Sequence, residues 1–131
     1  MKTWFGIAAV TVGILSAPVF TLGHHSASAE FDVTKKITIT GVVTKIDWLN
    51  PHIIFHIDAK SDGGAVANWS WELPSPNQLM RSGWTRTSMK IGDVVTVDGL
   101  HARDGSNHGM ANAVTLASTG KRLFAGQAEA P

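Results

Sequence analysis

Downstream of an apolar N-terminal run, most of the chain alternates between polar and apolar residues with the period of two that is typical of β-strands. A first strand is predicted over Ile37–Trp48, which is rich in Val, Ile and Thr. Ile37 and Ile39 share one face, and the apolar positions change parity after Gly41. A glycine at such a change of phase predicts a bulge or a sharp bend in a long strand.

Further strands follow at short intervals, separated by Gly, Pro, Asn and Asp residues that favour turns. The second and third strands are defined by alternate apolar positions, which are Ile53, Phe55 and Ile57, then Trp69, Trp71 and Leu73. A short helix is predicted after Ser75, which can cap it, with Pro76 at its first position and Gly83 beyond its end. The remaining predicted strands are Val94–Ala102, Ala111–Leu116 and a short Arg122–Phe124.

This order of elements predicts an all-β fold, a small OB-like barrel of five to six strands with one short helix between strands three and four. A long, bent first strand that takes part in both sheets is typical of that fold. A small open β-sandwich is the competing architecture, because short strands at regular spacing fit either one.

The N-terminal segment has the pattern of a secretory signal peptide. One cation, Lys2, precedes the apolar run Phe5–Leu22, and small residues follow it. The run is 18 residues long and contains Pro18, whereas a membrane-spanning helix needs about 20 apolar residues. We therefore expect cleavage, a periplasmic or secreted location, and no membrane span in the mature chain.

Two cleavage sites compete, and they differ in what they leave on the mature protein. Cleavage after Gly23 makes residues 1–23 the signal and exposes the pair His24-His25 at the new N-terminus. Cleavage after Ala29, the better A-x-A match, removes both histidines. With the first site, residues 24–126 form one domain and residues 127–131 a frayed tail.

Composition excludes several classes of function. Of the 11 Lys and Arg residues only Lys2 lies in the signal, so the rest balance the 10 Asp and Glu residues of the mature chain. A chain without net charge is not a typical nucleic-acid binder, whose affinity depends on a basic surface. The absence of cysteine excludes disulfides, thiolate metal sites and a cysteine nucleophile.

Seven short motifs recur in one known group of proteins. They are His24-His25-Ser26, Glu30-Phe31-Asp32, Gly41-x-Val43-Thr44-Lys45, Trp48-x-Asn50-Pro51-His52, Ser75-Pro76-Asn77, Gly83-Trp84 and Asp104-Gly105-Ser106. Through them the whole mature chain resembles domain-of-unknown-function family 6152, small exported bacterial proteins with no established reaction or ligand. In its usual pattern the His-His-Ser motif follows the signal directly, which favours cleavage near Gly23. This chain departs from that pattern at Ala27-Ser28-Ala29, which creates the rival cleavage site.

The first functional hypothesis is a periplasmic binding or accessory protein that holds copper through His24 and His25. A free N-terminal histidine chelates Cu(II) through its amine and one ring nitrogen, and imidazole also suits zinc and nickel. The candidate third ligands are His52, His56, His101 and His108. The alternative is that His24 and His25 belong to a flexible leader and that His52 caps a turn.

The second hypothesis is an envelope module without metal that binds a small ligand or a partner protein. Its candidate patch is formed by Trp48, Asn50 and His52 around Pro51. The alternative is that Pro51 and Asn50 shape a turn and that Trp48 is core. The loop Asp104–Gly109 lacks the spacing of an EF-hand and is expected to be a solvated hairpin loop rather than a calcium site. An enzyme ranks last, because no acid/base or nucleophile motif is present.

Overall fold

The computed structural model describes residues 27–126, apart from the side chain of Phe124. The predicted signal, the pair His24-His25 and the tail 127–131 lie outside these residues. Two short helices and six strands make up the described chain: α1 Ala27–Glu30, β1 Phe31–Asp47, β2 Ile54–Lys60, β3 Val66–Glu72, α2 Pro76–Arg81, β4 Val94–Ala102, β5 His108–Leu116 and β6 Arg122–Phe124. The all-β prediction, with one helix between strands three and four, is confirmed. Within 27–126 no helix has the length and apolar character needed to cross a membrane.

The strands form a closed ring. They are hydrogen-bonded in the order β3-β2-β1-β4-β5-β6, and β3 also pairs with β5. All neighbours are antiparallel except β3 and β5, which are parallel and pair at Ser70–His108, Trp71–Gly109 and Glu72–Met110. This short parallel contact closes the ring and joins two segments that are far apart in sequence.

Strand β1 is longer than predicted and serves two partners. Residues 36–42 pair with β4, and residues 42–47 pair with β2. The strand changes partner beside Gly41, where an added Cβ would lie 2.5 Å from the carbonyl oxygen of Asp58. The register irregularity between β1 and β2 lies between Val43 and Lys45, two residues after the glycine. Gly41 is therefore not the bulge itself, and its role is to allow the close approach of the two backbones.

Two apolar clusters stabilise the ring. The larger contains five of the six apolar positions that define the predicted second and third strands, and among them Trp71 is fully buried. The sixth, Trp69, is half-buried and packs against the cluster, with its ring stacked on Trp71 at a centroid distance of 6.0 Å. The smaller cluster consists of Phe31, Leu100 and Ala102, with Met110 packed against it. Because Phe31 directly follows α1, this second cluster holds the N-terminal helix against β4 and β5.

The remaining elements agree with the sequence except at their ends. Ser75 caps α2 by accepting a hydrogen bond from the Gln78 amide at 3.3 Å. Strand β5 begins at His108, three residues before the predicted start at Ala111. The loop expected over Asp104–Gly109 overlaps the first two residues of this strand. Both of these residues pair with β3 and the second also pairs with β4, and that pairing is not visible in the local sequence pattern.

Replacing Asp98 with asparagine is expected to lower the free energy of unfolding by about 1 kcal/mol at neutral pH. The Asp98 carboxylate accepts hydrogen bonds from the Thr38 hydroxyl at 2.6 Å and from the Arg122 guanidinium at 2.7 Å. The Thr38 hydroxyl first, and then Arg122, lower the pKa of Asp98 against the opposing effect of burial. This stabilisation is present above the ordinary aspartate pKa of about 4 and is lost as the pH falls through the lower folded value.

Urea unfolding of both proteins between neutral and strongly acidic pH measures this difference. The exposed turn variant Asp62→Asn is the matched control and should unfold like the wild type. A gap between Asp98→Asn and wild type that persists unchanged at about pH 2 would contradict the assignment.

Candidate metal centre

Three side chains from separate elements converge beside the parallel pair of strands. Glu30 ends α1, Glu72 ends β3, and His108 begins β5. One ligand atom from each lies within 4.8 Å of the other two. Nε2 of His108 is 3.6 Å from Oε1 of Glu30 and 3.9 Å from Oε2 of Glu72. Two carboxylates and an imidazole are donor types that divalent cations use, so the cluster is a candidate metal centre.

The fold explains why these residues meet. Ser70 and Glu72 face away from Trp69 and Trp71, because successive residues of a strand point to opposite faces. The register of β3 with β5 places Ser70 opposite His108. Thus the strand face that does not pack into the main core carries the candidate ligands.

Glu30 reaches the same place through the attachment of α1. The backbone amide of Arg103 donates to the Glu30 carbonyl at 2.9 Å, and Nε of Arg103 donates to the Ser28 carbonyl at 2.7 Å. The Phe31 ring lies 5.3 Å from the His108 ring. These contacts position a half-exposed carboxylate beside the histidine.

The His108 ring is oriented from its other side by Ser70. Nδ1 of His108 lies 2.7 Å from the Ser70 hydroxyl oxygen. When Nδ1–H donates to that hydroxyl, Nε2 directs its lone pair toward the two carboxylates, as metal ligation requires. Such a hydrogen bond on the second ring nitrogen is a regular feature of metal-binding histidines.

Glu72 is the least exposed donor of the cluster, with 18% of its side chain accessible. Burial raises the pKa of Glu72, His52 opposes that shift, and Glu30 adds to it. Oε1 of Glu72 lies 3.5 Å from Nδ1 of His52. The groups that shift its pKa include no Lys or Arg. A bound cation would supply a full positive charge beside Glu72 and would favour its ionised form.

A cavity of about 530 Å³ adjoins the cluster. Glu30 and Glu72 belong both to its wall and to the donor set. Phe31, Leu73 and Met110 supply apolar wall, and no Lys or Arg of the described residues lines it. The volume is within the range of small-molecule sites, which usually combine apolar walls with a few convergent polar groups.

The residues predicted from the sequence have different positions in the structure. His52 is brought to Glu72 and to the cavity wall. Trp48 packs against the main core, and the Arg86 guanidinium lies 5.4 Å from its ring centroid. Asn50 is exposed. The ligand patch of these three residues stays a prediction, and His24 and His25 lie outside the described residues.

The other three candidate third ligands, His56, His101 and His108, have different partners in the structure. His108 joins the cluster, whereas Nε2 of His101 is bonded to the Ser106 carbonyl at 2.8 Å. Nδ1 of His56 is 3.2 Å from the side-chain oxygen of Asn68. In the loop that follows β4, the Asp104 carboxylate accepts from the Ser106 amide and hydroxyl at 2.9 and 2.6 Å, as in a turn that bonds to itself.

Sequence reasoning missed Glu30 and Glu72 as ligands. Alternation places Glu72 and Ser70 on one strand face, which is a weak indication. Nothing in the local pattern indicates that this face meets His108, since that depends on the register of a parallel pair.

Comparison with known proteins leads to a family without an assigned role. A model described as a family of unknown function, DUF6152, matches residues 11–112, which is most of the chain. The resemblance derived from the seven motifs is thereby confirmed. A search of curated proteins finds no match.

Proposed function

Since the chain belongs to DUF6152, a family of unknown function, we propose that it is an exported protein that binds one divalent transition-metal ion through Glu30, Glu72 and His108. The observation that carries the proposal is the approach of three potential ligand atoms to within 4.8 Å of one another. The bond from Ser70 to the far side of the His108 ring supports it.

The donor types favour a transition metal over calcium or magnesium. Imidazole suits zinc, copper, iron and nickel, whereas calcium and magnesium take oxygen ligands. At a given site of nitrogen and oxygen donors, Cu(II) binds more tightly than Zn(II). We therefore expect both ions to bind, and copper more tightly, which keeps copper as the proposed cofactor.

His24 and His25 are proposed as additional donors to this ion. His25 precedes Ala27 by two residues, and Ala27 lines the cavity beside the cluster. Only Ser26 separates the pair from Ala27 in the sequence, and this short separation supports the proposal for a mature chain that keeps both histidines. Cleavage after Ala29 would remove both histidines and leave Glu30 as the first residue.

Export to the periplasm rests on the N-terminal pattern and remains part of the proposal. The order of strands around the ring, with β1 between β2 and β4 and a helix after β3, supports assignment as an OB-like barrel. A binding or accessory role is proposed because the cluster offers three metal-ligand types and because the Ser70 hydroxyl, 2.7 Å from Nδ1 of His108, can orient that ring for ligation.

The test is calorimetric titration of the purified exported chain with Cu(II) and Zn(II), with its intact mass recorded to locate the cleavage site. His108→Gln is expected to lower the affinity for both ions more than tenfold, because loss of even an outer-shell partner costs 10- to 100-fold. His101→Gln is the matched control, since His101 packs on Trp69 and binds the Ser106 carbonyl.

Melting curves of both variants keep loss of binding distinct from loss of folding. A folded His108→Gln protein that binds copper and zinc like the wild type would overturn the assignment. A mature chain that begins at His24 and keeps its copper affinity after His24→Ala, and also after His25→Ala, would exclude these two side chains as donors. The site of Glu30, Glu72 and His108 would then stand without them.

A further inference from the structure

We infer that the cavity beside Glu30 and Glu72 is a binding site for a small organic molecule with an anionic oxygen donor and an apolar body. The donor would coordinate the metal ion, and the body would lie along Phe31, Leu73 and Met110. This inference rests on the proposed metal-binding function and adds to it the class of ligand.

The first support is the shared position of the two carboxylates. Because Glu30 and Glu72 line the cavity and also belong to the donor cluster, an ion held by them lies at the cavity boundary. Glu30, Glu72 and His108 fill three positions, and in a mature chain that begins at Glu30, without His24 and His25, at least one coordination position of a transition metal is left open. A ligand in the cavity can therefore reach the ion without displacing a protein donor.

The second support is the charge of the site. Without an ion, the wall carries two carboxylates, the His52 imidazole, and no Lys or Arg among its described residues, which disfavours an anion. A divalent ion balances the two carboxylates and reverses this preference. Binding of an anionic ligand should consequently depend strictly on the ion.

The third support is the size and polarity of the cavity. A volume of about 530 Å³ is much larger than one coordinated water requires. Apolar side chains cover most of the wall, while Ser75, Gln78 and Asn112 contribute polar groups. An apolar body gains from burial there, and a bare anion such as acetate does not.

Benzoate is the probe, titrated into zinc-loaded and metal-free wild-type protein labelled with ¹⁵N and followed by NMR. We expect saturable binding to the zinc form, at least tenfold tighter than that of acetate, with shifts at the amides of Ala111 and Gly126, which line the cavity. The metal-free protein should show no saturable binding of benzoate. Benzylammonium, with the same ring and the opposite charge, should show no preference for the zinc form.

Gln78→Trp tests the cavity separately from the metal ligands. Gln78 is exposed and lines the cavity, so a large side chain there should weaken benzoate binding at least fivefold without changing zinc affinity. Asn77→Trp is the matched control, because Asn77 is the exposed neighbour on α2 and does not line the cavity.

The outcomes separate this inference from the proposed function. Equal affinities for benzoate and acetate in zinc-loaded protein would overturn the cavity site and leave the metal site intact. Benzoate binding that is equally tight without zinc would also overturn it, because coordination would then play no part. Failure of zinc to bind at all would remove the proposed function, and the inference with it.

Discussion

Replacing Gly99 with alanine is expected to destabilise the protein by roughly 3 kcal/mol or more, because a methyl group has no room at this position. A Cβ built there would lie 2.7 Å from Cζ3 of Trp71 and closer still to the carbonyl oxygen of Met110. The carbonyl is part of the pairing between β4 and β5. Relief of the clash would require movement of backbone, which costs more than rotation of a side chain.

Gly109 presents the same steric conflict on the other strand. A Cβ at Gly109 would lie 2.8 Å from Cε3 of Trp71 and 3.0 Å from the carbonyl oxygen of Leu100. Neither glycine has a positive φ angle, so the expected effect is steric and not conformational. The two glycines together accommodate the fully buried indole of Trp71.

Urea unfolding followed by tryptophan fluorescence measures the loss. Gly63→Ala is the matched control, since its nearest neighbour is the Ser61 hydroxyl at 3.9 Å. Small domains are stable by only about 5–15 kcal/mol, so either core variant should have a greatly lowered unfolding midpoint. A change below about 1 kcal/mol in Gly99→Ala would show that the ring accommodates the methyl group.

Replacing Glu72 with glutamine is expected to have opposite effects on stability and on metal binding. The metal-free variant should be more stable than the wild type at neutral pH, by about 0.5–1 kcal/mol. Its affinity for Cu(II) and Zn(II) should fall by roughly 100-fold or more, because a charged ligand is lost. A residue whose only role is packing would not separate stability from metal affinity in this way.

The sign of the stability effect follows from the pKa. Burial, the largest influence, raises the pKa of Glu72 in the folded protein. The favourable contribution of the protonated form is complete below the unfolded pKa and is lost as the pH rises through the folded value. The wild type should therefore lose stability relative to Glu72→Gln across this rise, and the two should converge in acid.

Thermal unfolding of both proteins over a pH series, with and without zinc, makes the measurement. Glu30→Gln is the comparison variant, since Glu30 is 51% exposed and should lose metal affinity with little change in metal-free stability. A Glu72→Gln protein that is less stable than wild type without metal would contradict the electrostatic account. Unchanged zinc stabilisation in Glu72→Gln would contradict its role as a ligand.

Much of the fold was predictable because its signals are local. Alternation identified the buried faces of β2 and β3, and Ser75 with Pro76 located the start of α2. The first residues of β1 and β5 were missed. Those segments pair with strands that are distant in sequence. The periodicity of a segment indicates which of its faces is buried, but it does not indicate which strand the segment pairs with.

The candidate site was much less predictable than the fold. His108 was recognised as a histidine that could ligate, without a reason to prefer it to His101 or His56. The structure distinguishes them by their partners, which are two carboxylates in one case and a backbone carbonyl or an amide in the others. That distinction is a property of contacts between strands.

By itself, the sequence determined the all-β class, the succession of strands and helix, the buried tryptophan Trp71 and membership of the family. These features depend on periodicity, turn residues and short motifs, each readable within a few neighbouring positions. Only the tertiary structure decided that β3 and β5 pair in parallel and that Glu30, Glu72 and His108 converge beside a cavity. Register and ring closure join residues that are far apart in the chain, and local patterns carry no information about such distances.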